Sequence, residues 1–161
     1  MFLCIAIGNP LRGDDGVARR ALQLLPTAEQ IRMLEVIQLT PEIASEIASA
    51  DAVIFLDADP SIAEVTFGAL GDCSTRSTPL THSMGPFELL ETARRLYWFA
   101  GEALLCRIPA RQFEPGKGLT HEAENAARSA AELVGEHLSR LVAQHQQKSS
   151  CMASCHPTIH E

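Results

Sequence analysis

The stretch MFLCIAIGNPLRGDDG, residues 1–16, decides the fold class of this chain. Its apolar run from Phe2 to Ile7 is typical of a strand that is covered on both faces, and Gly8 ends that run. A polar turn then leads to the adjacent carboxylates Asp14 and Asp15, at the point where a first helix is predicted to begin. Because ligands bind just outside the carboxyl ends of the strands in an open α/β sheet, this acidic pair marks a candidate site.

Strands and helices alternate along the rest of the chain, which predicts a largely parallel sheet with helices on both faces. The expected fold is therefore a three-layer α/β/α sandwich, whose mostly parallel, five-stranded twisted sheet has one antiparallel edge strand, residues 65–70. The other predicted strands are 2–7, 33–37, 52–56 and 103–108. Helices are predicted over residues 15–25 and from three further starts, at Thr40-Pro41-Glu42, Pro86 and Thr120. The helix that starts at Pro86 is expected to have Phe87, Leu90, Ala93 and Tyr97 on its apolar face.

The composition excludes several classes of protein. The 161 residues have a net charge of -7, and their basic residues are scattered, which argues against nucleic acid or an anionic membrane as the partner. No apolar run approaches the roughly 20 residues that span a bilayer, and we find no signal-peptide pattern at the N-terminus. The odd count of five cysteines does not fit a disulfide framework, so we expect a cytoplasmic protein with reduced thiols.

The composition changes near residue 144. Residues 1–143 contain all the predicted elements and form one α/β domain, whereas residues 144–161 have too few apolar side chains to pack and are expected to be a disordered tail. Their spacing of potential metal ligands matches no zinc motif, and the sequence leaves their role open. These ligands are Cys151, Cys155, His156 and His160.

Three polar side chains follow three different predicted strands. Asp15 comes after the first strand, Asp57 follows the strand 52–56, and His82 lies in a polar loop before the helix that starts near Pro86. A parallel sheet would bring these positions to one edge, where two carboxylates and an imidazole form a partial ligand set for a divalent transition metal. Each residue also has a simpler interpretation, namely an acid that caps a helix, a turn residue, or a solvated histidine.

The N-terminal motif resembles the signature of the nickel-iron hydrogenase maturation endopeptidases, a Gly-Asn-x-Leu turn followed by Asp and a second acid. The resemblance covers about residues 1–142. The chain departs from the family at Ala18, where Gly is frequent, and at the second acid, which is Asp15 where some relatives carry Glu. The matching segments are GNPLRGDDG (8–16), VIFLDA (53–58), LTHSMG (80–85) and IPARQFEPGKGLT (108–120).

This resemblance implies an endopeptidase, of aspartic or metal-assisted type, that removes the C-terminal peptide of the [NiFe] hydrogenase large-subunit precursor after nickel insertion. It implies that Asp15, Asp57 and His82 are both the catalytic residues and the metal ligands. The nickel is expected to be carried by the precursor, and a monomer is sufficient for the reaction. Asn9 and Asp14 are expected to hold the turn through hydrogen bonds to backbone groups, although Asp14 could instead cap the first helix.

Two other functions stay open at this point. A non-catalytic nickel carrier or assembly-checkpoint protein could use the same three ligands and would leave the mass of its partner unchanged. A flavodoxin-like domain that binds a small anion is disfavoured, because Asp14 and Asp15 would repel a phosphate at the start of the first helix.

Overall fold

The computed structural model describes residues 1–71 and 84–153, with side chains through residue 147. The strands in these ranges are β1 (Phe2–Ile7), β2 (Ile31–Val36), β3 (Ala52–Asp59), β4 (Thr66–Ala69) and β5 (Glu102–Pro109). The helices are α1 (Val17–Gln23), α2 (Ile43–Ala48), α3 (Pro86–Tyr97) and α4 (His121–Ala153), and a 3-10 turn, Gly13–Gly16, precedes α1.

The five strands form one sheet in the order β2-β1-β3-β5-β4. β1 is parallel to both β2 and β3, and β3 is parallel to β5. β4 is antiparallel to β5 and lies at the edge of the sheet, which confirms the predicted antiparallel edge strand. The mostly parallel sheet expected from the sequence is therefore present.

Helices cover both faces of the sheet, because successive side chains of a strand point to opposite faces. Cys4 and Ile54 are fully buried beneath α1 and α4, whereas Ile5 and Phe55 are fully buried beneath α2 and α3. This arrangement confirms the three-layer architecture. Burial raises the pKa of Cys4 and of Cys106 to about 12, so both are neutral thiols within the core, as their apolar surroundings in the sequence predict.

β3 is longer than the sequence predicts. It continues past Leu56 and ends at Asp59, because β5 is equally long and pairs with it up to Asp59 and Pro109. The alternative in which Asp57 is a turn residue is therefore wrong, since Asp57 lies within the strand. This extension is important for the site, because it fixes the backbone of Asp57 on both sides.

Two helices differ from their predictions in detail. α2 begins at Ile43, and no side chain caps it, because the Thr40 hydroxyl bonds the Glu42 carboxylate instead and lowers the pKa of Glu42. α3 begins at Pro86 as predicted, but its apolar face is shifted. Leu89, Leu90 and Ala93 are buried, whereas the predicted core residues Phe87 and Tyr97 are exposed.

α4 begins where the sequence predicts, and the Thr120 hydroxyl accepts a hydrogen bond from the backbone N–H of Ala123 at 3.1 Å. The helix continues to Ala153, beyond the predicted domain boundary at residue 143, and the ring of His145 packs edge-on against Phe2 with centroids 5.9 Å apart. The Cys/His ligands of the tail lie outside the residues whose side chains are described. Across the described ranges, no helix has the length and apolar character needed to cross a bilayer.

Candidate active site

In the turn between β1 and α1, the backbone at Gly8 approaches the backbone carbonyl of Asp15 very closely. Gly8 has a φ of +140°, and a Cβ there would lie 2.0 Å from the carbonyl oxygen of Asp15. The backbone N–H of Gly8 donates to the carbonyl of Val36 at 3.0 Å, which ties the turn to β2. Only glycine allows this conformation and this approach together, so Gly8 fixes where Asp15 stands at the end of β1.

Asp15 is held by the turn that precedes it. Its Oδ2 accepts a hydrogen bond from the backbone N–H of Asn9 at 2.8 Å, and the side chain is partly buried. Asn9 in turn accepts the N–H of Leu11 through its Oδ1 at 3.0 Å, so it holds the turn as predicted. No side chain caps the 3-10 turn or α1, so the helix-capping alternative for Asp15 is wrong.

Asp57 lies near the carboxyl end of β3, at the same end of the sheet as Asp15. In the strand register it is beside Ile7 of β1 and Arg107 of β5. Its side chain is partly buried, on the face of the sheet that α2 and α3 cover. Burial raises the pKa of Asp57 to about 7, and the charges of Asp15 and Asp59 act in the same direction. A hydrogen bond from the backbone of Ala58 and the charge of Arg107 oppose this rise without cancelling it.

The structure therefore brings together two of the three predicted site residues, Asp15 and Asp57. His82 lies outside the described residues. Two residues after it in the sequence, Met84 forms a backbone bridge with Leu39, on the layer of α2 and α3 that Asp57 faces. Among the described side chains, no group of three or more His, Cys, Asp and Glu is arranged to hold a metal ion. Paired carboxylates of unequal basicity can exchange a proton or contribute oxygen ligands to a cation.

Asp14 has a different function from its neighbour. It is 1% exposed, and its carboxylate accepts the backbone N–H groups of Arg111, Gln112 and Thr120, together with the Thr120 hydroxyl, at 2.8 to 3.1 Å. Burial alone would raise the pKa of Asp14, but these hydrogen bonds hold it below its ordinary value. Its interpretation as a helix cap is wrong. Asp14 instead fixes the segment between β5 and α4 against the β1 turn, which agrees with its predicted bonding to backbone groups.

Arg107 and Asp59 form an ion pair beside Asp57 that the sequence analysis missed. Arg107 Nε donates to Asp59 Oδ2 at 2.7 Å, and Ser61 donates to Asp59 Oδ1 through its backbone N–H and its hydroxyl. The side chains of Arg107 and Asp59 are 20% and 18% exposed. The signal present in the sequence is the spacing of Asp57 and Asp59, which places both carboxylates on one face of a strand.

Solved structures of hydrogenase maturation proteases share this fold. The maturating endopeptidase HybD from E. coli is 21% identical, with a TM-score of 0.72 over 86% of this chain and 92% of that one. The [NiFe] hydrogenase maturation protease HycI from Thermococcus kodakarensis is 20% identical, with a TM-score of 0.67 over 86% and 92%. A hydrogenase 2 maturation peptidase from a Thaumarchaeota archaeon is 25% identical, with a TM-score of 0.61 over 85% and 97%.

No family model matches the sequence, and no curated protein sequence matches it either. The family resemblance seen in the sequence motifs is thus confirmed at the level of the fold: this chain has the α/β fold of the [NiFe] hydrogenase maturation endopeptidases.

Proposed function

We propose that this protein is an endopeptidase that removes the C-terminal peptide of a [NiFe] hydrogenase large-subunit precursor after nickel has been inserted. Two observations support this proposal. The fold is shared with proteins that are named hydrogenase maturation proteases. The N-terminal motif, which resembles that family's signature, folds so that Asp15 and Asp57 lie at one edge of the sheet.

The placement of Asp57 beside the end of β1, next to Asp15, is the observation that carries the proposal. A carboxyl group with a pKa of about 7 is divided between its acidic and basic forms at neutral pH, which is the condition that general acid–base chemistry favours. Asp15 adds a second carboxylate, fixed by the backbone N–H of Asn9. Together they can take a proton from an attacking water molecule and return a proton to the leaving amine.

Nickel enters this proposal as part of the substrate. Asp15, Asp57 and His82 supply oxygen and nitrogen donors, which nickel accepts in mixed ligand sets together with sulfur. A nearby cation would favour the ionised form of Asp57, because opposite charges stabilise each other. Recognition through the ion would explain why cleavage follows nickel insertion, since a precursor without nickel would lack one of the contacts.

Hydrolysis can proceed in two ways at such a site. In the first, Asp57 acts as a general base toward water, and in the second, the nickel of the precursor polarises the scissile carbonyl or activates the water. Both require Asp57 to be ionised at some stage. We further propose that the protein acts in the cytoplasm, as a monomer.

The test is the intact mass of a purified large-subunit precursor after incubation with this protein, with and without nickel loading. We expect loss of a C-terminal peptide only from the loaded precursor. The matched control is Asp57→Asn, which is nearly the same size as the native residue and cannot act as a base. A loaded precursor that forms a complex but keeps its full mass would instead support the nickel-carrier or checkpoint function.

A further inference from the structure

The guanidinium of Arg107 is fixed next to the candidate active site. In the register of the sheet, Arg107 of β5 lies opposite Asp57 of β3 on one side and opposite Thr66 of β4 on the other. Asp59 holds its Nε, and the Ser61 hydroxyl accepts a hydrogen bond from its Nη2 at 3.3 Å. Because an arginine side chain carries five N–H donors, these contacts orient the group without using all of its hydrogen-bonding capacity.

Arg107 also lines a groove that runs along the edge strand β4. The groove has a volume of about 340 Å³ and is lined by residues 66–70 together with Leu105 and Arg107. The groove is open at Gly68, where a Cβ would meet no atom within 4 Å among the residues that the structure describes. The groove is mostly apolar along β4 and cationic at Arg107, so one residue connects the groove with the carboxylate pair.

We propose that Arg107 is a substrate-binding residue, which donates a hydrogen bond to a main-chain carbonyl of an extended precursor segment lying in this groove. This inference rests on the proposed function, because it places the precursor next to Asp57. The groove lies above the β4–β5 pair and ends at Arg107, whose register partner on β3 is Asp57, so a segment that follows the groove leads to the candidate active site. A planar, permanently charged guanidinium in a partly buried position is a strong donor to a carbonyl oxygen.

The simpler interpretation is that Arg107 and Asp59 only join two strands. The protein contains a suitable comparison, because Arg20 and Glu124 form a similar partly buried ion pair between α1 and α4, with Arg20 Nη2 at 2.8 Å and Nε at 3.0 Å from the carboxylate. A purely structural function predicts similar consequences when either arginine is lost. A substrate-binding function predicts that only Arg107 affects the recognition of the precursor.

The experiment measures steady-state processing of the nickel-loaded precursor by the wild type, Arg107→Gln and Arg20→Gln. We expect Arg107→Gln to raise KM about tenfold or more, whereas Arg20→Gln leaves KM unchanged. Both variants should show similar melting temperatures. Equal KM values in the two variants would overturn the inference. If the wild type leaves every loaded precursor intact, the proposed function fails instead, so the two failures are distinguishable.

Gly68→Val tests the groove independently of the ion pair, and it decides the question should Arg107→Gln fail to fold. A valine side chain can occupy the open space above β4 and suits a strand, so the melting temperature should stay the same or rise. We expect KM to rise while kcat is retained. An unchanged KM in a folded Gly68→Val variant would exclude this groove as the binding site of the precursor segment.

Discussion

Asp14 is buried and Asp57 is partly buried near the same end of the strands, and their pKa values move in opposite directions. Asp14 accepts hydrogen bonds from Arg111, Gln112 and Thr120, and its pKa lies below the ordinary value. Asp57 is stabilised by one backbone hydrogen bond, from Ala58, and burial raises its pKa to about 7. The comparison shows that the balance between burial and hydrogen-bond donors sets the direction of each pKa shift: the donors outweigh burial at Asp14, and burial outweighs the single donor at Asp57.

The largest expected effect is on catalysis at Asp57. Asp57→Asn should reduce processing of the nickel-loaded precursor by at least about 100-fold, because the amide can neither accept a proton nor bind a cation as a carboxylate does. The protein should stay folded, since Asn keeps the volume and replaces a destabilised charge. Intact-mass time courses would measure the rate, and circular dichroism would verify the fold. Processing at the wild-type rate by a folded variant would refute the assignment.

The next effect is on stability at Asp14. Asp14→Ala leaves three backbone N–H groups and a hydroxyl without their shared acceptor, so we expect the free energy of unfolding to fall by about 3 kcal/mol. Urea unfolding would measure the change, with Glu29→Ala on the exposed surface as the control, expected within about 0.5 kcal/mol of the wild type. Equal stability of the two variants would mean that the Asp14 bonds are not important for folding.

A smaller effect is expected on the pH dependence of the free energy of unfolding, to which Asp57 and Asp14 contribute with opposite signs. Asp57 binds its proton more tightly in the folded state than at its ordinary pKa of 3.8, so the free energy of unfolding should decrease as pH rises from about 4 to about 7. This decrease in the free energy of unfolding is of the order of 1–3 kcal/mol for the metal-free protein. Asp14 acts oppositely, because its stabilisation is present above its ordinary pKa of 3.8 and is lost as pH falls below it. Thermal unfolding between pH 4 and 8 should show a flatter profile for Asp57→Asn, and an unchanged slope would contradict the raised pKa.

The smallest effect concerns one donor to Asp14. Thr120→Val removes the hydroxyl that donates to Asp14 and accepts the N–H of Ala123 at the start of α4, while it retains the backbone donor. We expect a loss of about 1 kcal/mol in the free energy of unfolding. Thr120→Ser keeps the hydroxyl and should be close to the wild type in the same urea titration. A Val variant as stable as the wild type would mean that the Thr120 hydroxyl is not important for folding.

The sequence predicted the sheet, its edge strand and the meeting of Asp15 with Asp57, because strand periodicity is a local signal and the alternation of strands with helices predicts a parallel sheet. It did not predict the partners of Asp14, which lie about one hundred residues further along the chain. A short acidic pair before a helix looks locally like a cap, and only the tertiary fold shows the donors that Asp14 bonds. The catalytic and ligand assignments of Asp15, Asp57 and His82 stay predictions.

The pairing of Arg107 with Asp59 was not predicted for a similar reason. It depends on the register of β3 against β5, and the length of β3 is set by its partner rather than by its own composition. Pro60 and the acidic residues before it suggest a turn when they are considered alone. The hydrogen bonds of a neighbouring strand therefore extended β3 over residues whose local preference favours a loop.

The length of β3 separates the contacts of Met1 with Asp51 before the strand from the carboxylate of Asp57 near its far end, so mutations can alter the two regions independently. At the start of the strand, the Met1 ammonium contacts the Asp51 carboxylate, and the Asp51 backbone N–H donates to the Met1 carbonyl at 2.8 Å. Asp57 lies six residues after Asp51, which is about 20 Å at the usual strand rise. Free-energy changes at sites so far apart are expected to add. Stabilising substitutions at the N-terminal end are therefore expected to offset destabilising ones near Asp57, so losses of stability at the candidate site can be compensated from the opposite end of the same strand.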